Sequence, residues 1–226
     1  MGRAAAAKLT SLLLIVVLCE ACGAAVSPPV AGPPTPPPPA PTVWPPGAPA
    51  APAPDAWAHP GTALAFPETL GGMTRTETID YESRQAGLGA SVGYRHPGGA
   101  WATVYLYTMG HPALPDDLRS DPVVAELRRS VADIESAAAQ GAYHDLSLEQ
   151  VRVGTLGARA GSRAALLVPL TAVFQGRPIV SLLLLTTYRG HFVKVRVSYP
   201  LETRSISGRV VSRFIDELGT LVRPRD

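Results

Sequence analysis

From Trp101 to Thr108 the chain sets Ala102, Val104 and Leu106 against Trp101, Thr103, Tyr105 and Tyr107 with period two, the pattern of a strand with two unlike faces. Thr74 to Tyr81 reads as one strand, followed by a turn over 85–89. Ala90 to Tyr94 and Trp101 to Thr108 follow as strands, separated by His96-Pro97-Gly98-Gly99. The period then changes. Val124, Leu127, Val131, Ile134 and Ala138 are spaced three and four apart, which predicts a helix. Asp121 is placed to cap it, Pro122 takes the first helical position and Gly141 stops it.

The second half returns to strands. Leu148 to Val153 predicts a short one, and Arg163 to Phe174 and Ile179 to Tyr188 a hairpin turning over 175–178. Arg189-Gly190 turns the chain into a further strand, His191 to Tyr199. Leu182 to Leu185 is apolar at every position, which suits a central strand covered on both faces. Pro169, lacking an amide donor, implies an edge or a bulge in its strand. Val193, Val195 and Val197 alternate with Lys194, Arg196 and Ser198, predicting one buried and one wet face. A last helix runs from about Ser207 to Val222, with Val211, Phe214, Ile215 and Leu218 inward. The order β-β-β-α-β-β-β-β-α, joined mainly by hairpins, predicts an α+β domain. Its antiparallel sheet of six to seven strands packs with two main helices as an α/β/α sandwich.

The ends of the chain change this picture. Arg3 and Lys8 precede the apolar run Leu9 to Leu18, and small residues follow, so 1–25 reads as an export signal. The run is about half of the ~20 apolar residues a membrane span needs. Ala21-Cys22-Gly23 resembles the end of a bacterial lipobox, which makes Cys22 the candidate lipidation site. Gly23-Ala24-Ala25 also suits ordinary signal-peptidase cleavage. Residues 26–60 are Pro-rich, include the run Pro36 to Pro39, and read as an extended, disordered tether. Residues 61–226 then form a single globular domain. The expected location is the periplasm or outer membrane, with membrane contact through an N-terminal lipid if Cys22 is acylated.

Charge and composition narrow the chemistry. The net charge of +2 is mild and the basic residues are scattered, which gives no footprint for nucleic acid. Both cysteines, Cys19 and Cys22, precede the domain, so the domain has no thiol nucleophile, disulfide or thiolate metal site. The five histidines show no metal-ligand spacing, and no cofactor motif is present. His96 and His111 bracket the Trp101 strand and, with Asp116 or Asp117, are the residues a periplasmic hydrolase would draw on.

One constellation suggests binding. Trp101, Thr103, Tyr105 and Tyr107 share a strand face by period two. Tyrosine and tryptophan join apolar area to a polar tip, so such a face can line a ligand groove; the same pattern also suits core beneath a helix. The row Lys194 and Arg196 adds positive charge able to meet an anionic glycan or a lipid headgroup.

In this order of elements, and in Phe66-Pro67-Glu68-Thr69-Leu70-Gly71-Gly72 and Phe192-Val193-Lys194-Val195-Arg196, the chain resembles PsbP-like and DcrB-like domains. It is also similar to proteobacterial secreted proteins and lipoproteins that carry such a domain. The resemblance covers most of residues 66–222 and implies a non-catalytic accessory or binding role. The expected function is a tethered, non-enzymatic envelope module for a protein, glycan or lipid partner, with the hydrolase as the alternative.

Overall fold

Two tight turns organise the centre of the domain. Gln175 and Gly176 both have positive φ (50° and 74°), as do Arg189 and Gly190 (48° and 75°). That pair of conformations matches the twist of the flanking strands and closes two-residue hairpins. The three strands they join are therefore long and in continuous antiparallel register: β9 (Arg163–Phe174), β10 (Arg177–Tyr188) and β11 (His191–Pro200).

The computed structural model describes residues 56–158 and 162–223. The expected export signal with Cys22, most of the expected tether including Trp44, and residues 159–161 lie outside that range. Among the described residues the remaining strands are β1 (Trp57–Ala58), β2 (Ala65–Phe66), β3 (Thr69–Leu70), β4 (Met73–Asp80), β5 (Ala90–Arg95), β6 (Trp101–Tyr107), β7 (His144–Leu148) and β8 (Arg152–Leu156). The helices are α1 (Asp121–Ala139) and α2 (Arg204–Leu221). Nine strands form one antiparallel sheet in the order β3-β4-β5-β6-β11-β10-β9-β7, with β8 also on β9, and β1 pairs with β2 apart from it.

The fold is α+β, mainly antiparallel with two helices, and its strand count corrects the expected six to seven. The additional strands are two-residue pieces and a split that hydropathy does not mark. The expected strand Leu148 to Val153 spans the end of β7, a break over 149–151 and the start of β8, and the two strands pair with successive parts of β9. Pro169 lies in β9 opposite that break, where its carbonyl accepts from Glu149 N–H (2.9 Å) and no neighbouring strand needs its missing donor. Among the described residues pairing already includes Trp57, four residues before Gly61. Trp57 packs on Phe66, with ring centroids 6.0 Å apart.

The helices lie on opposite faces of the sheet. Val211, Phe214, Leu218 and Val222, in and just past α2, join Val104, Val195 and Leu184 in one core. Val123, Leu127 and Ile134 of α1 join Val168, Leu183, Leu185 and Phe192 in the other. Leu183 and Leu184, adjacent in β10, are fully buried in different cores, each worth roughly 1.5–3 kcal/mol of burial. The N-cap of α1 is Ser120, not Asp121, and its side chain makes no cap hydrogen bond. The buried stripe of α1 is also rotated from the expected one. It runs Val123, Glu126, Leu127, Ser130, Ile134 and Ala137, with Val124, Val131 and Ala138 half-buried at its margin.

Candidate functional site

Strand register assembles the α1 side of the sheet. Arg196 in β11 stands opposite Thr103 of β6 and Leu183 of β10, while Lys194 stands opposite Tyr105 and Leu185. Ser198 stands opposite Trp101 and Ser181. The sequence-predicted residues Trp101, Tyr105, Tyr107, Lys194 and Arg196 thus share one surface. The structure divides it in two.

The half beneath α1 is closed. Glu126 of α1 is buried and accepts hydrogen bonds from the Tyr107 hydroxyl, from Ser130 Oγ (3.1 Å) and from Arg129 Nε (2.9 Å) and Nη2 (3.0 Å). Lys194 Nζ lies 3.8 Å from Glu126 Oε1 and 5.2 and 5.3 Å from the ring centres of Tyr107 and Tyr105. Cation–π attraction to two rings adds to the ion pair. Burial lowers the pKa of the Lys194 ammonium, and Glu126 opposes that shift. Burial first, then the charge of Glu126, raises the Tyr107 phenol well above its ordinary value, so it donates as a neutral hydroxyl. Lys194 is therefore not on a wet face. A carboxylate delivered by the helix supplies the counter-charge that lets it lie under α1.

The other half is lined by rings and left partly open. Trp101, Thr103 and Tyr105 are half-buried. The Trp101 and Phe174 rings are 6.0 Å apart, and Tyr143 packs on Phe174 at 5.5 Å. Burial, then the neighbouring Tyr81, pushes Tyr105 up to about 12. Ser181 and Ser198 are buried on this face, their hydroxyls 2.7 Å apart. Arg196 borders this half. Its Nη2 is 3.4 Å from Ser181 Oγ, and its Nε is buried without a hydrogen-bond partner.

Of the residues named for hydrolysis, His96 and His111 lie at opposite ends of β6. His96 sits in the β5–β6 turn, where its Nδ1 accepts from Gly98 N–H (2.9 Å). His111 follows the far end of β6, edge-on to Phe192. Seven residues of strand at ~3.4 Å each separate the two turns. Asp116 pairs with Arg163 and accepts from Thr187 (2.9 Å). Among the described residues no group of three or more His, Cys, Asp or Glu is placed to hold a metal ion, and no helix is long and apolar enough to cross a membrane.

Sequence reasoning missed Glu126, Ser181, Tyr143 and Phe174. Glu126 lies outside the apolar stripe expected for α1 and inside the buried one. The others come from strands distant in the chain, and no local pattern joins them to β6.

Fold and surface together define an α+β domain whose antiparallel sheet presents a half-covered aromatic and basic face. No family model matches the chain, and no curated protein matches it. Among solved structures it is similar to the solution structure of cyanobacterial PsbP (CyanoP) from Synechocystis sp. PCC 6803. The identity is 12%, the match covers 70% of this chain and 88% of that one, and the TM-score is 0.44. No residue or activity is carried across from that likeness.

Proposed function

We propose that this chain is an exported, non-enzymatic envelope protein, a binding or assembly module held on a Pro-rich tether. Its contact surface is the open half of the α1 side, around Trp101, Tyr105 and Arg196. One observation supports this reading above the others: half-buried rings from β6, β9 and the segment after α1 gather beside a guanidinium that no carboxylate among the described residues neutralises. Aromatic side chains with polar tips, placed beside a cation, suit recognition rather than bond cleavage. The export signal and tether place this surface in the periplasm, or at the outer membrane if Cys22 is acylated.

Co-sedimentation of the mature chain with purified envelope fractions tests the proposal. Trp101→Ala and Tyr105→Ala are expected to weaken binding by roughly tenfold or more with unchanged circular dichroism, as loss of an aromatic anchor does at an interface. Binding that is indifferent to both substitutions would remove the face from the proposal. Fatty-acid labelling lost in Cys22→Ser, but kept in Cys19→Ser, would locate the anchor.

A further inference from the structure

We propose that Arg196 is the anion-binding group of this face, and that its ligand is an anionic sugar, a pyranose ring carrying a carboxylate or phosphate. This rests on the reading of the aromatic face as the contact surface and names the chemistry it takes.

The first argument is charge. On the α1 side Arg129 is paired with Glu126 at 2.8 Å, and Lys194 with the same carboxylate at 3.8 Å. Among the described residues no carboxylate lies within ion-pairing distance of Arg196. Its single polar contact, Nη2 to Ser181 Oγ at 3.4 Å, is longer than an ordinary N–H···O bond, and Nε has none. A buried charged donor left unmatched is costly, and the surrounding fold supplies no second acceptor. A guanidinium presents parallel N–H groups in a fixed fork, and that fork matches the two oxygens of a carboxylate or phosphate.

The second argument is shape. Trp101, Ser198, Ser181 and Leu170 are successive cross-strand neighbours, with the two serines buried beside the half-buried Trp101. The half-buried rings of Trp101, Phe174 and Tyr143 form one patch on this face, and Ser198 is two residues along β11 from Arg196. A sugar ring has apolar faces and hydroxyl edges. It stacks on such rings while the hydroxyls of Tyr105, Thr103 and Tyr143 meet its rim.

NMR titration of the mature chain provides the test, with the three tryptophan indole signals as reporters. The probes are glucuronate, glucose 6-phosphate, glucose and inorganic phosphate. Glucuronate and glucose 6-phosphate are expected to shift the Trp101 indole signal but not that of Trp57. Glucose and inorganic phosphate should each bind at least tenfold more weakly. Arg196→Met is expected to abolish the preference for the charged sugars and to leave the melting temperature unchanged or higher, because it removes a half-buried guanidinium whose Nε has no hydrogen-bond partner. Arg196→Lys keeps the charge without the fork and should bind at an intermediate level. If glucose binds as tightly as glucuronate and Arg196→Met changes nothing, the role of Arg196 is overturned while the aromatic face survives. If inorganic phosphate matches glucose 6-phosphate, the sugar is overturned. If no probe moves Trp101, the proposal falls. A lower melting temperature in Arg196→Met would make Arg196 a structural residue.

Discussion

Replacing Glu126 and Lys194, singly and together, probes the attachment of α1 to the sheet. The two partners are not equivalent. Glu126 is held by Tyr107, Ser130, Arg129 and Lys194, so it keeps three of these partners when the lysine is removed. Lys194 has Glu126 as its ion-pair partner, and its side chain is only 16% exposed. Glu126→Leu therefore strands a lysine ammonium and the Tyr107 hydroxyl in an apolar layer. Breaking a buried pair from one side costs about 3–5 kcal/mol. Lys194→Met leaves a carboxylate that Arg129 still neutralises, and is expected to cost about 1–2 kcal/mol. In the double variant no charge is stranded, so its loss should fall at least about 1 kcal/mol short of the sum of the two singles. Urea unfolding of the protein measures all three. At about 2 kcal/mol per molar for a domain of this size, Glu126→Leu should move the midpoint down by roughly 1.5–2.5 M. Two results would refute the reasoning: Lys194→Met and Glu126→Leu both near 0.5 kcal/mol, as for solvated residues, or strict additivity in the double variant.

Two further outcomes follow from burial elsewhere. His59 is buried against Trp57 and His191, and its Nδ1 accepts from Thr62 N–H (3.2 Å). Burial, then the charge of His191, lowers its pKa from 6.5 to about 4, against the opposing pull of Glu82 and Asp80. The unfolded chain therefore binds this proton more readily. The contribution of His59 is whole above about pH 6.5 and is lost as pH falls toward 4, by roughly 3 kcal/mol in all. Urea unfolding from pH 7 to 4 should show His59→Gln with a shallower acid loss than wild type, and parallel curves would contradict this. Gly219 in α2 is a second case: a Cβ there would stand 1.9 Å from the Leu156 carbonyl oxygen. Gly219→Ala gains about 1 kcal/mol of helix preference but must push α2 off β8, so a net loss of about 1–3 kcal/mol is expected in thermal unfolding. A stabilised variant would mean that the close approach of helix and strand is absent.

Local features of this chain are written in short stretches of sequence. Gln175-Gly176 and Arg189-Gly190 specify two hairpins because few residues accept positive φ. The apolar run through Leu183 and Leu184 identifies the strand buried on both faces, because period two sends those neighbours to opposite sides. The helices are legible from their three-and-four spacing, although the margin of α1 looked as apolar as its centre and the stripe was read one residue round. What period and polarity cannot report is exposure. Lys194 and Arg196 alternate identically with valine, yet one lies beneath a helix and the other beside an opening. The difference is set by where α1 ends its cover and by Glu126, a carboxylate brought from another element, which makes burial of one charge tolerable and leaves the other unmatched. Trp101 likewise gains Phe174 and Tyr143 only when β9 and the segment after α1 reach the same side of the sheet. Pairings between distant strands depend on register across the whole sheet, and that register is decided by tertiary packing rather than by any local run of residues.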